Sequence, residues 1–142
     1  MAGLISVKDI MTKNVVTTRV NASAREAVKT MESQNIGSIV VMERDRPVGI
    51  ITERDIVVRI ASPSVDPRNM KVQDIMTSPL VTIKSDASVE EAVALMGKRK
   101  IKKIVVMEEG KIAGMLTYTD IARSSPNMMK LYDELLKKAN KS

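Results

Sequence analysis

Two stretches, "GIITERD" ending at Asp55 and "GMLTYTD" ending at Asp120, lie 65 residues apart and follow one pattern: glycine, two apolar residues, threonine, two free positions, aspartate. A threonine at a helix N-cap with an aspartate three positions on is a capping pair, which satisfies backbone amides and the helix dipole. At the rim of a cleft the same groups serve a ligand. The uncommitted N–H groups of a helix start face a phosphate, and a carboxylate accepts two hydrogen bonds from a ribose diol. Arg54 and Thr119, between Thr52 and Asp55 and between Thr117 and Asp120, are phosphate donors beside an otherwise repulsive acid. Capping does not require Gly49 or Gly114, whereas close approach of a ligand or of another backbone does. On the residues alone both readings stand.

Composition removes most alternatives. With neither cysteine nor histidine in 142 residues there is no disulfide, no thiol nucleophile and no imidazole metal ligand. No hydroxyl has an evident base and no acidic cluster has metal spacing, so neither catalysis nor a metal or required cofactor is expected. The net charge of +6 sits mostly in residues 67–142 and is densest in "KRKIKK", Lys98 to Lys103. That run is a solvated helix end, the lining of a phosphate pocket, or a nucleic-acid contact. Two tyrosines with no Phe or Trp leave no stacking platform for single strands, which favours a small anion as partner. No stretch is long and apolar enough to span a bilayer and the start lacks a secretory signal, so a cytoplasmic location is expected.

The elements that must position these residues are written twice. Sliding the chain by 65 aligns "VKDIMTKNVVTT" with "VQDIMTSPLVTI", "NASAREAVKTMES" with "DASVEEAVALMGK", and "IGSIVVMERDRPVGIITERDI" with "IKKIVVMEEGKIAGMLTYTDI", without a gap. Each copy reads as strand, helix, strand, turn, strand, helix, an α/β (α+β) arrangement with repeat 1 over 7–61, a Pro- and Ser-rich linker over 62–71 and repeat 2 over 72–125. A first strand is predicted at Val15 to Thr18. Ser23 with Glu26, and Ser88 with Glu91, fit capping boxes that open helices burying Ala24, Ala27, Val28 and Met31, or Val89, Ala92, Val93 and Met96. The runs "SIVVM" and "KIVVM" read as buried strands, with "ERDRPVG" and "EEGKIAG" as turns. Methionines on these faces are core filler. Apolar sheet faces that the helices of one copy cannot cover predict two copies packed about a pseudo-twofold axis, helices outside, with a cleft between. Residues 126–142 form an amphipathic helix with Met128, Leu131, Leu135, Tyr132 and Ala139 on one stripe, which packs on its own module or contacts a second subunit.

Over about residues 7–124 the chain resembles a pair of cystathionine-β-synthase (CBS) domains, the tandem regulatory module called a Bateman module. The features that carry the resemblance are "DIMT" at both starts, the "IVVM" strands and the doubled glycine-to-aspartate motif. It implies βαββα repeats, two pockets in a central cleft, binding of AMP, ADP, ATP or S-adenosylmethionine, and a homodimer forming a flat disc of four repeats. Pockets in relatives are composite. One would combine Thr52, Arg54 and Asp55 with Leu80, Val81, Lys102 and Lys103. The other would combine Thr117, Thr119 and Asp120 with Val15, Val16 and Ser38. Gly37 and Ser38 stand where repeat 2 has Lys102 and Lys103, so the pockets should differ. Three cations in the first suit a di- or triphosphate, and hydroxyls in the second suit a monophosphate or an uncharged adenosyl group. The expected function is a non-catalytic sensor that signals ligand state to an unknown regulated protein by population shift. The alternative is a basic nucleic-acid-binding protein.

Overall fold

The computed structural model describes residues 5–61 and 66–141; the Ser62–Val65 part of the expected linker lies outside the described residues. In chain order the elements are α1 (Val7–Ile10), β1 (Thr17–Arg19), α2 (Ala24–Gln34), β2 (Ser38–Glu43), β3 (Arg46–Thr52), α3 (Glu53–Ile56) running into a π-helical turn (Val57–Ala61), and a 3-10 turn (Pro67–Asn69). There follow α4 (Val72–Ile75), β4 (Thr82–Lys84), α5 (Val89–Arg99), β5 (Lys103–Glu108), β6 (Lys111–Thr117), α6 (Tyr118–Ser124) and α7 (Pro126–Lys141).

Both long repeat helices start and stop for local reasons. Ser23 Oγ accepts from the Glu26 amide and Ser88 Oγ from the Glu91 amide, each at 3.0 Å, which satisfies one of the free amides of the first turn. The chain then leaves the helix through a left-handed residue, Asn35 (φ 53°) or Lys100 (φ 58°). Between the caps, Ala24, Ala27 and Met31, or Val89, Ala92, Val93 and Met96, are buried; Val28, expected with them, is half-buried. In each copy the continuous apolar run forms the central strand, β2 or β5, buried at three successive positions. Such a strand has no solvated face, hence the lack of alternation. It pairs in parallel with β1 or β4 and antiparallel with β3 or β6. The first strand begins at Thr17, so Val15 and Val16 precede it rather than open it. The hairpin turns are shorter than expected: β3 already begins at Arg46, because Arg44 at φ 56° reverses the chain tightly.

Two compact units are present, and they do not coincide with the sequence repeats. One is Val15–Leu80; the other joins the chain up to Asn14 with everything from Val81 onward. In the first unit Val72 and Ile75 of α4 are fully buried with Ala24, Ala27, Ile39, Val41 and Ile51. Val72 N–H donates to Ala22 O at 2.8 Å and Ala24 N–H to Met70 O at 2.9 Å. The second unit repeats this with Val7, which is buried with Val89, Val93, Ile104 and Leu116, and with Val7 N–H donating to Ala87 O at 2.8 Å. Each "DIMT" arm therefore completes the unit built on the other repeat's sheet. Backbone pairing requires it, since each arm supplies partners for a helix start and a sheet edge that would otherwise be unpaired.

The last helix, α7, packs on its own unit against α5. Tyr132 is buried, its hydroxyl donates to Ile101 O at 3.0 Å, and its ring meets that of Tyr118 edge-on at 5.2 Å. Among the described residues no helix is long and apolar enough to cross a membrane.

Candidate functional site

In the Val15–Leu80 unit, Thr52 is the N-cap of α3 and the capping box is complete. The Thr52 amide donates to Asp55 Oδ2 at 2.8 Å, the Thr52 hydroxyl to the same oxygen at 3.1 Å, and the Asp55 amide to Thr52 Oγ1 at 3.4 Å. The other unit matches it at α6: Thr117 N–H to Asp120 Oδ2 at 3.0 Å, and Asp120 N–H to Thr117 Oγ1 at 3.1 Å. Both carboxylates are only 6% exposed. A charge so far from water needs several donors.

Capping supplies donors to one oxygen, Oδ2, in each case. On Asp55 the second oxygen, Oδ1, accepts from the Thr77 hydroxyl at 2.7 Å and lies 4.0 Å from the Arg59 guanidinium. On Asp120 the Thr12 hydroxyl is shared between Oδ1 at 3.2 Å and Oδ2 at 3.3 Å. The threonine that ends each "DIMT" therefore reaches the aspartate that ends each doubled motif, within one unit.

The two glycines explain how. Thr77 and Ile50 exchange backbone hydrogen bonds at 2.8 and 3.0 Å, and Thr12 and Met115 exchange them at 2.9 and 2.8 Å. A Cβ at Gly49 would lie 2.9 Å from Thr77 O, and one at Gly114 would lie 2.6 Å from Thr12 O. Of the two approaches weighed for these glycines, the one present is of backbone to backbone.

The other expected site residues are distributed as follows. Val15, Val16, Ser38, Thr52, Arg54, Asp55 and Leu80 belong to the first unit; Val81, Lys102, Lys103, Thr117, Thr119 and Asp120 belong to the second. Ser38 stands opposite Thr52 across β2 and β3, and Lys103 opposite Thr117 across β5 and β6. Arg54 and Thr119 are exposed; Val15, Val16, Leu80 and Val81 are half-buried. Lys102 is exposed and its Nζ lies 5.8 Å over the Tyr118 ring, a cation–π contact. The Tyr118 amide donates to Lys102 O at 2.8 Å, which ties the basic segment to the start of α6. A groove of about 550 Å³ on the first unit is lined by Val20, Arg46, Gln73, Met76 and Leu80 among others. Leu80 is the member of the expected set that reaches it.

Thr12, Thr77, Arg59 and Tyr118 are the site residues that sequence reasoning missed. Asp55 and Arg59 are four apart on a helical stretch, a signal that was available. Thr12 and Asp120 are 108 positions apart, and only the recurrence of "DIMT" marked the threonine.

Two α/β units, each with a three-stranded mixed sheet, a borrowed arm and a capped buried aspartate, define a duplicated module built by exchange of its arms. The chain belongs to the CBS domain family, which matches it over residues 7–62 and 72–127, and whose domains are in general regulatory modules. It is 35% identical over 136 residues to an uncharacterized protein of Methanopyrus kandleri, covering 94% of this chain and 69% of that one. A stretch amounting to 22% of an inosine-5'-monophosphate dehydrogenase of Methanocaldococcus jannaschii is 31% identical to 81% of this chain. An uncharacterized conserved protein from Pyrococcus horikoshii has a similar crystal structure, with TM-score 0.78 and 32% identity over 88% of this chain and 95% of that one.

Proposed function

We propose that this CBS pair is a non-catalytic sensor of adenosine-containing nucleotides, AMP, ADP or ATP, or of S-adenosylmethionine, that signals occupancy to a regulated protein. The observation that carries the reading is the spare half of each carboxylate. Capping needs one oxygen of Asp55 and one of Asp120; in both units the other, Oδ1, takes its side-chain hydrogen bond from a threonine hydroxyl on an exposed residue. A ribose diol is a donor of the same kind. Arg54, Lys102, Lys103, Thr117, Thr119 and Ser38 are the phosphate-side donors, Thr52, whose amide and hydroxyl both donate to Asp55, orients that carboxylate, and Val15, Val16, Leu80 and Val81 are the apolar wall for adenine. A second copy is the partner that would complete a four-repeat disc, and a cytoplasmic setting fits a nucleotide ligand.

The test is a thermal-shift panel of the four compounds. Ligand at a hundred times its dissociation constant adds about 2.7 kcal/mol to stability. Asp55→Ala and Asp120→Ala each lower the starting stability by roughly 1–3 kcal/mol through the lost hydrogen bonds of the capping-box carboxylate. The diagnostic quantity is therefore the ligand-induced shift, of which each variant loses one site's share. A shift unchanged in both variants leaves the aspartates as caps and nothing more.

The exposed run Lys98, Arg99 and Lys100, continued by Lys102, favours a second reading, nucleic-acid binding. It would show as DNA or RNA binding that weakens steeply with salt and ignores ATP.

A further inference from the structure

We infer that Thr12 and Thr77 are latches: their hydroxyls occupy the acceptor positions that a vicinal diol needs, so a ribose closes on Asp120 or Asp55 only by displacing them. This rests on the ligand reading above and assigns to the "DIMT" threonines a specificity role. A carboxylate has about four acceptor positions. On Asp55, Oδ2 already takes the Thr52 amide and hydroxyl, and Oδ1 takes Thr77 at 2.7 Å. One position on Oδ1 remains, enough for one ligand hydroxyl and too few for two. Turning the Thr77 hydroxyl away frees the second. On Asp120, Oδ2 takes the Thr117 amide, while Thr12 bridges both oxygens at 3.2 and 3.3 Å. Its release opens both positions on Oδ1 and one on Oδ2.

The latch can turn without moving the chain. Thr12 and Thr77 are held by paired backbone bonds to Met115 and Ile50, yet both side chains are exposed, so a χ1 rotation suffices. The two latches are unequal. The short, undivided bond from Thr77 holds harder than the long, divided bond from Thr12. Asp120 therefore accepts a diol more readily than Asp55, an order of filling set by hydroxyls rather than by the lysines.

Calorimetry of wild type, Thr77→Val and Thr12→Val with ATP, AMP and their 2'-deoxy analogues tests this, with Thr→Ser variants as controls that keep the hydroxyl. Thr77→Val is expected to bind the ribonucleotides about tenfold more tightly and Thr12→Val about threefold, the worth of one hydrogen bond to a charge that no longer has to be broken. The 2'-deoxy analogues, with one hydroxyl to place, should gain little, and the serine variants should match wild type. Should Thr77→Val not fold, Thr77→Ala removes the same donor. Binding that valine leaves unchanged or weakens, while Asp55→Ala abolishes it, overturns the latch and leaves the sensor reading standing. No heat from wild type and every valine variant overturns both.

Discussion

A methyl group added at Gly114 would meet the Thr12 carbonyl at 2.6 Å and the Met11 sulfur at 2.7 Å; at Gly49 it would meet the Met76 sulfur at 2.8 Å and the Thr77 carbonyl at 2.9 Å. A thioether can swing aside, but a carbonyl fixed by two backbone bonds cannot. Gly114→Ala is expected to lower stability by about 1–3 kcal/mol through overpacking, and Gly49→Ala by less. Urea unfolding of both variants checks the order, and a Gly114→Ala protein as stable as wild type would mean that the arm yields freely. At this scale the sequence was half legible. The Thr52–Asp55 and Thr117–Asp120 pairs are local, and their spacing already offers the capping pair as one of its two readings. The threonine that meets each aspartate comes from 22 or 108 positions away, and no local pattern states such a contact.

Among the elements, α7 shows how one repeat can be dressed differently from its twin. Of the positions it uses in repeat 2, Gly97 and Tyr118 read Glu32 and Glu53 in repeat 1, while Ile101 keeps its counterpart Ile36. Gly97 is required because a Cβ there would lie 2.6 Å from Leu135 Cβ. The tail thus docks where repeat 2 carries Gly97 and Tyr118 in place of two glutamates, and the stripe on the tail did not say which surface it met. Tyr132 anchors the helix, and Tyr132→Phe should cost about 0.5–1.5 kcal/mol by leaving Ile101 O without its donor. Burial first, then the neighbouring Tyr118 and Asp133, raises the Tyr132 pKa above the ordinary tyrosine value. A folded-state pKa above the unfolded one means that the hydroxyl's contribution is whole below pH of about 10 and is lost as pH climbs through the raised value. Unfolding curves at stepped alkaline pH should show wild type losing a component of stability that Tyr132→Phe does not have.

For the whole molecule, repeat and folding unit are different objects. Repeats are legible because self-similarity is a property of order along the chain; the units are not, because nothing local records which sheet an arm joins. Cutting by sequence at the linker strips each half of an arm that buries Val72 and Ile75, or Val7. Residues 15–80 alone are therefore expected to unfold cooperatively in circular dichroism, whereas residues 1–66 alone should show no transition at low concentration. Two buried aliphatic side chains are worth roughly 1.5–3 kcal/mol each, a large share of a small unit's margin. The reverse outcome would show that the arms are ornaments. The arms are also close in kind, "VKDIMT" against "VQDIMT". A half-length polypeptide cut to begin at its arm would lack the arm its sheet needs and find it only in a second copy, whereas one cut as 15–80 already carries that arm. Where the cut falls thus decides whether folding of a half depends on concentration.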